Sequence, residues 1–257
     1  MESLQLVNGW NPALYDEKHS FVFKYGEDLV ELLQPTKGER ILDLGCGTGF
    51  LAQVIANAGA EVVGIDHSVA MVNKAQLEYP RLDFRVLPAT DYYFEQHFDA
   101  IFSNAVLHWV LEKEKAIDCM YRNLNRGGRV VLEFGGKGNV EQIVGALRTI
   151  LQRHGWTSNA GIALWYFPSV SEYAALLEQR GFEVTYAALF HRETKLSDPA
   201  NGIKDWIRMF GSAFLQGLTP GAAEEILEEV QESLRPVLFK NGSWLADYKR
   251  IRIMAVK

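Results

Sequence analysis

Apolar and polar positions in the first half of the chain fall into alternating blocks. Short apolar runs occupy 40–44, 61–66, 82–87, 98–103 and 130–134. Continuous runs of this length, bounded by turn residues, read as strands buried on both faces. Between them the apolar residues change to helical spacing. Residues 50–58 form one such segment, stopped by Gly59. Met71, Val72 and Ala75 follow a Ser68 N-cap, and Ile117, Met120, Tyr121 and Leu124 share one face of a helix over 113–125. Ahead of the first strand, Leu14, Phe21, Val22, Tyr25, Leu29 and Leu32 also recur at helical spacing and stop near Gln34–Pro35. Strands that alternate with helices in this way predict a parallel sheet with right-handed crossovers. Ligands of such sheets sit beyond the carboxyl ends of the strands.

The second half is less regular. An amphipathic stretch runs over 139–153, and Ser169 or Ser171 opens a helix that ends at Arg180–Gly181. Residues 182–190 are strand-like, 198–238 are helical in two pieces, the second started by Thr219-Pro220, and 244–256 alternate as a strand does. A strand, a helical excursion and a returning strand predict a late hairpin whose connection has grown into a cap. The expected organisation is an N-terminal helical lid over 1–34, a core over 35–138, a helical cap segment over 139–181, and the last two strands over 182–257 with a helical insertion at 198–238.

One turn stands out chemically. Ile41-Leu42-Asp43-Leu44 runs into Gly45-Cys46-Gly47-Thr48-Gly49, and a helix starts at once. Glycine allows positive φ and close approach of a ligand to the backbone, and the helix behind it offers free N–H groups. The spacing is G-x-G-x-G. A dinucleotide turn requires G-x-G-x-x-G, and a P-loop requires a terminal Gly-Lys-Ser/Thr. The plain alternative is an ordinary turn of an α/β protein. Asp66 ends the second apolar run, where sheets of this kind bind ribose hydroxyls; its structural alternative is a helix-entry acid. Ala89, Ser103-Asn104 and Glu133 also fall at strand ends, so five placements share one rim.

Composition narrows the partners. The chain has 257 residues and a formal net charge of −6, without the dense Lys/Arg cluster that grips a phosphate backbone, so a nucleic-acid substrate is disfavoured. Its two cysteines, Cys46 and Cys119, form no C-x-x-C pair; neither a disulfide framework nor a metal site is expected. No apolar run reaches the roughly 18 residues of a membrane span, and no secretory leader is visible. The expectation is a soluble cytoplasmic protein.

Leu42-Asp43-Leu44-Gly45-Cys46-Gly47-Thr48-Gly49, Val63-Gly64-Ile65-Asp66 and Phe98-Asp99-Ala100-Ile101-Phe102-Ser103-Asn104 together resemble class I S-adenosylmethionine-dependent methyltransferases over residues 35–135. Ser103 to Val110, with Trp10-Asn11-Pro12 and Tyr15, resembles the type 11 branch that includes trans-aconitate methyltransferase. The resemblance implies a Rossmann-like α/β fold: a seven-stranded sheet with strand seven antiparallel, flanked by helices, to which 182–190 and 244–256 would contribute strands six and seven. It implies S-adenosyl-L-methionine as cofactor and S-adenosyl-L-homocysteine as product. Asp43 and the turn at Gly45, Cys46, Gly47 and Gly49 would hold the methionine end. Asp66 would take the ribose, Met71 would pack near the adenine, and Ala89 would offer it a backbone N–H. Asn104 and Tyr15 would line the cofactor, and His108 and Trp109 would face the acceptor. Where the family carries an acid after strand three, this chain has Pro88, which leaves the adenine amino group to Asp91 or water.

Methyl transfer from a sulfonium is an in-line displacement, so alignment and exclusion of water are the main tasks. A carboxylate acceptor is already ionised. A hydroxyl or amine would need a base within reach, for which His108 and His19 are the candidates, each with a structural alternative. A carboxylate acceptor wants an arginine fork or tyrosines; Arg148, Arg208, Tyr166 and Tyr248 lie in the predicted cap regions. The aromatics Trp156, Trp165, Tyr166, Phe167, Trp206, Phe210 and Phe214 either pack the cap or line a pocket for an apolar acceptor. The expected activity is O-methylation of a small carboxylic acid of the trans-aconitate type. The alternatives are C- or O-methylation of a lipid or other apolar acceptor, including cyclopropane-fatty-acid-synthase-like chemistry, and a non-catalytic S-adenosylmethionine-binding module. An NAD or nucleotide-sugar oxidoreductase fails on the glycine spacing.

Overall fold

A computed structural model describes residues 21–257. Helix α1 spans Phe21–Leu33. The alternation then follows: β1 Arg40–Leu44, α2 Phe50–Asn57, β2 Glu61–Asp66, α3 Val69–Glu78, β3 Asp83–Val86, β4 Phe98–Asn104, a 3-10 turn Leu107–Trp109, α4 Lys113–Asn123 and β5 Leu124–Gly135. After these come α5 Glu141–Arg153, α6 Thr157–Ala160, α7 Val170–Gln179, β6 Glu183–Lys195, α8 Gly202–Phe210, a 3-10 turn Ser212–Leu215, α9 Pro220–Leu238, β7 Phe239–Lys240 and β8 Ser243–Val256. The strand order is β3-β2-β1-β4-β5-β8-β6, with β7 beside β8. The first five strands are parallel, and β8 is antiparallel to β5.

The apolar runs become strands because both faces of the sheet are covered. Leu42, Leu44, Val63, Ile65, Ile101, Val130 and Leu132 pack into one core with α4, Tyr173 and Leu177. Ile41, Val62, Ala100, Phe102 and Val131 point the other way, into a core with Leu29 and Leu33 of α1 and Ile55 of α2. Local signals set the helix starts. Ser68 accepts from the Met71 N–H at 3.4 Å, Ser169 and Glu172 close a capping box, and Thr219 caps α9 ahead of Pro220.

Two boundaries differ from expectation. β5 begins at Leu124, where α4 stops, and β6 extends to Lys195. The stretch 198–238 is helical in two pieces, as expected, with the second opened by Thr219–Pro220; a 3-10 turn and Gly217, which has a φ of 79°, lie between them. Of the described residues, 21–137, 165–190 and 250–257 form one compact unit and 138–164 and 191–249 form another. The segment 139–181 is thus divided between the two units after Leu164. Residues 165–181 belong with the sheet, because Tyr173 and Leu177 are buried in its core. The second unit holds α5, α6, α8 and α9, built around residues such as Trp206, Phe214, Ile226, Val230 and Trp244.

Candidate active site

The turn after β1 is shaped by backbone contacts. The Gly45 and Cys46 N–H groups both donate to the Ile65 carbonyl, at 2.7 and 3.0 Å, which ties the turn to β2. Gly45 has a φ of 81°, and a Cβ there would lie 2.1 Å from the Val106 side chain. Gly47 has a φ of 53°, yet a Cβ on it would meet nothing within 4 Å among the described residues. Glycine at 45 thus serves packing, while glycine at 47 leaves an open face. Gly49 is the N-cap of α2 and gives it no side-chain cap.

Two carboxylates flank this turn. Asp43 is 2% exposed, and its Oδ2 is buried with no hydrogen-bond partner among the described residues. Burial, reinforced by the charge of Asp66, raises its pKa to about 7. An orphaned buried carboxylate oxygen calls for a cation or a donor from a ligand. Asp66 accepts from the Gly47 N–H at 3.1 Å and the Ser68 N–H at 2.8 Å, so it bridges the open glycine and the start of α3. Burial, with the charges of Asp43 and Asp66, pushes the Cys46 thiol well above its usual range, which makes Cys46 a packing residue and not a nucleophile. Met71 is buried in the first turn of α3. Ala89 is half-buried against the core, in a turn where the Asp91 N–H donates to the Pro88 carbonyl at 3.3 Å. An open backbone cradle, an unsatisfied acid at one end and a second acid at the end of β2 fit a cofactor with a cationic amino-acid end and a ribose. Tyr15 and His19 lie outside the described residues.

The rim continues past β4. Asn104 stands opposite Glu133 in the sheet, and α1 approaches it at Gly26, where a Cβ would lie 3.1 Å from Asn104 Nδ2. Ala105 has a φ of 62° and donates to the Glu133 carbonyl at 2.7 Å. A left-handed alanine is the kind of local strain that gathers at functional turns. The 3-10 turn then presents His108 and Trp109. His108 is buried, and its Nδ1 accepts from the Gly135 N–H at 3.4 Å. Its ring lies 5.8 Å from Phe167 and 5.4 Å from Trp109. Burial first, and the charge of Arg250 second, hold its pKa well below the ordinary value, so the imidazole is neutral and a weak base. Trp109 meets Trp165 edge-on at 5.5 Å. Tyr166 donates its N–H to the His108 carbonyl at 2.9 Å, and Lys113 Nζ sits 4.9 Å from its ring.

Glu133 is fully buried, but Arg252 reaches its Oε2 at 2.7 and 2.6 Å. A carboxylate so compensated is a framework group, not a base. Arg252 and Arg250 escaped the sequence reading. The alternation over 244–256 directed attention to the apolar positions, yet Arg250-Ile251-Arg252 carries two arginines at period two, which place both on one face.

Arg208 and Tyr248 belong to the second unit and are engaged inside it. Arg208 pairs with Asp205 at 3.2 Å and with Glu224. The Tyr248 hydroxyl accepts from Trp206 Nε1 at 2.6 Å. Arg148 donates to the Ile162 carbonyl at 2.9 Å. Among the described residues no cluster of three His, Cys, Asp or Glu side chains is arranged to hold a metal, and no helix is long and apolar enough to cross a membrane.

Known proteins match this architecture. The methyltransferase domain family matches residues 42–132. An uncharacterized methyltransferase of Schizosaccharomyces pombe is 31% identical over 96% of this chain and 98% of its own length. A trans-aconitate 2-methyltransferase of Methylobacterium radiotolerans is 30% identical over 82% of this chain and 83% of its own. Among solved structures, phosphoethanolamine N-methyltransferase 2 of Haemonchus contortus, in complex with phosphomonomethylethanolamine and S-adenosylhomocysteine, superposes with a TM-score of 0.59. It is 18% identical and covers 96% of this chain and 56% of that one.

Proposed function

We propose an acceptor class from a plain premise: the chain belongs to the class I S-adenosylmethionine-dependent methyltransferases. Within that family we assign it O-methylation of a small carboxylic acid. The observation that carries this reading is the state of His108. A hydroxyl or amine acceptor needs a base at the rim, and the histidine there is held neutral by burial with its Nδ1 already accepting from Gly135. A carboxylate needs no base. The relative from Methylobacterium radiotolerans bears the name trans-aconitate 2-methyltransferase, which agrees with this choice.

The donor, when bound, supplies an electrophilic methyl group on a sulfonium. In our reading Asp43 receives the ammonium of its methionine end and is ionised by it. The Gly47 face lets that end rest on bare backbone, and the N–H groups opening α2 receive its carboxylate. Asp66 takes the ribose hydroxyls, Met71 packs beside the adenine and the Ala89 N–H meets its ring. Asn104, with Tyr15 from the leading segment, lines the methionyl side. His108, with Nδ1 occupied, carries its proton on Nε2 and serves as a donor that orients the acceptor. Trp109 walls the acceptor side and excludes water, and His19 and Tyr166 remain candidates to complete that wall. Arg208 and Tyr248 serve the internal framework of the second unit.

A second reading has one observation in its favour. The rings of His108, Trp109, Trp165 and Phe167 form a continuous aromatic group, which suits an apolar acceptor such as a lipid. A screen with labelled S-adenosylmethionine over carboxylic acids, phenols and lipids separates the two. Transfer to small acids is expected. Transfer confined to lipids or phenols would overturn the assignment.

A further inference from the structure

Asparagine followed by glycine carries a chemistry that neither the donor site nor the acceptor reading uses. The chain has three such pairs, Asn8-Gly9, Asn201-Gly202 and Asn241-Gly242, the first of them outside the described residues. The other two belong to the second unit, and the fold treats them differently. Asn241 and Gly242 are the two loop residues between β7 and β8, with φ of 51° and 73°. A two-residue hairpin loop with positive φ at both positions favours this pair of residues. Both are exposed. The hairpin behind them is short: Phe239 pairs with Trp244 and Lys240 with Ser243.

Asn201-Gly202 stands instead at the start of α8. The Asn201 Nδ2 donates to Asp198 Oδ2 at 3.3 Å, and its backbone N–H donates to Asp198 Oδ1 at 3.1 Å. Its carbonyl accepts from the Asp205 N–H at 2.8 Å. Gly202 is buried, and a Cβ on it would lie 2.9 Å from the Trp244 ring. We infer that Asn241 is a site of spontaneous covalent modification, in which its side-chain amide is displaced by the backbone nitrogen of Gly242, and that the fold protects Asn201 from the same reaction.

The step balances with solvent water as the one co-reactant. The Gly242 nitrogen attacks Asn241 Cγ. An N–Cγ bond forms, the Cγ–Nδ2 bond breaks, and the amide nitrogen leaves as ammonia with the proton of the Gly242 N–H. The product is a five-membered succinimide. Water then opens the ring. Cleavage of the new Cγ–N bond gives aspartate. Cleavage of the original backbone C–N bond gives isoaspartate, in which the main chain runs through Cγ and is one atom longer. Nothing is oxidised or reduced. Glycine suits the attacking position because no Cβ crowds its nitrogen.

Opening of the segment decides which asparagine reacts. Ring closure takes the backbone out of its hairpin or helical conformation, so the rate follows how often that conformation is left. An exposed tip on a two-residue strand lies at the low end of opening free energies. At Asn201 the same step must break the bonds to Asp198, the first turn of α8 and the seat of Gly202 against Trp244. The isoaspartyl product also has a structural consequence. It lengthens a loop whose two residues set the register of β7 on β8, and the contact at stake is that of the Phe239 and Trp244 rings, 4.9 Å apart.

The test ages the full chain at mildly alkaline pH and follows each asparagine by peptide mass spectrometry, since trypsin places them on separate peptides, 196–204 and 241–249. In the folded chain Asn241 is expected to exchange ammonia for water at least about tenfold faster than Asn201, and to yield both aspartyl and isoaspartyl peptides. In the chain unfolded by urea the two should react at similar rates. Equal rates in the folded chain would overturn the inference. A difference that persists in urea would place the cause in the local sequence and overturn the protection assigned to the fold. Asn241→Gln, which cannot close the five-membered ring, serves as the aged control. Amide hydrogen exchange over residues 239–244 should be faster in the aged wild type than in this variant, and equal exchange would overturn the loss of register.

Discussion

The turn after β1 and the helices of the second unit are both rich in polar groups, but they use them in opposite ways. Around α8 of the second unit the charged and polar groups engage one another, although Arg148 Nε, Gln231 Oε1 and Asp247 Oδ1 elsewhere in that unit are buried without a partner among the described residues. Lys204 reaches Glu224 and Glu228 at 3.2 and 2.7 Å, Trp206 bonds Tyr248, and Trp244 Nε1 donates to the Pro199 carbonyl at 3.1 Å. At the turn, Asp43 Oδ2 is buried without a partner and the face of Gly47 is open among the described residues. A side chain engaged by its neighbours belongs to the framework, and a buried carboxylate oxygen left wanting beside a bare glycine face marks a seat for a ligand, where the same lack inside a packed unit does not. The comparison predicts that substitutions at the turn damage binding out of proportion to stability, and that substitutions in the second unit do the reverse.

Gly45→Ala should have the largest effect. A left-handed alanine costs about 1–2 kcal/mol, and a Cβ 2.1 Å from Val106 adds about 1–3 kcal/mol of overpacking. Differential scanning calorimetry should show a melting temperature lower by about 4–20 °C, with cofactor binding lost. Gly47→Ala offers the contrast. Its Cβ meets no neighbour among the described residues, so stability should fall by about 1 kcal/mol while binding suffers more. Equal losses of stability in the two variants would erase the distinction between packing glycine and ligand-facing glycine.

Asp43→Asn comes next, and its sign depends on pH. Asp43 has a pKa of about 7 in the fold against an ordinary 3.8. Between those values the folded chain keeps a proton that the unfolded chain has lost, so stability falls as pH rises from about 4 to about 7. The full fall is on the order of 4 kcal/mol, and the asparagine variant should not show it. Donor binding should show the converse. An ammonium against Asp43 favours the ionised form, so affinity should rise with pH and level off above about 7. Asp43→Asn should bind about tenfold more weakly at pH 8, without that rise. Calorimetric titration of S-adenosylhomocysteine from pH 5.5 to 8 checks both, and a pH-independent wild type would remove the ion pair from the account.

The same contrast explains what the sequence made legible. The turn was readable because its requirements are written in backbone geometry: three glycines at fixed spacing, an apolar run before them and a helix after, with an acid at the end of the next strand. Those constraints are local, and Gly45, Gly47, Asp43 and Asp66 come together where the motif placed them. The acceptor side was not readable, because register across β5 and β8 decides it. Nothing near Arg250 in the chain says that it faces Gly135, or that Glu133, a candidate by its strand-end position, is taken up by Arg252. Residues 165–181 misled for a related reason. Their helical pattern beyond the fifth strand grouped them with 139–153, but Tyr173 and Leu177 are drawn into the sheet's core by contacts distant in sequence.

Asp66→Ala should have a smaller effect than either glycine or Asp43 changes on the fold, and a clear one on binding. It removes the acceptor for the Gly47 and Ser68 N–H groups together with the partner assigned to the ribose. Loss of a charge-assisted bond is worth about 1.5–3 kcal/mol, so affinity should drop by about ten- to a hundredfold in a folded protein. Unchanged affinity would refute the ribose assignment and leave Asp66 as a cap for the start of α3.

Arg208→Ala should do least, and for that reason it tests the comparison most directly. The Arg208 side chain is 42% exposed and bonds Asp205 and Glu224. Removing it leaves Glu224 with Lys204, whose Nζ stays at 3.2 Å, so no charge is stranded. Exposed pairs contribute about 0–1 kcal/mol, which for a chain of this size shifts the melting temperature by about 2–4 °C at most. The KM for the acid should change by less than about twofold, because a guanidinium already held by two carboxylates has little left to offer a third. A large rise in KM with stability intact would mean that Arg208 exchanges Glu224 for the acceptor. The second unit would then read the substrate, and internal satisfaction would no longer separate framework from site.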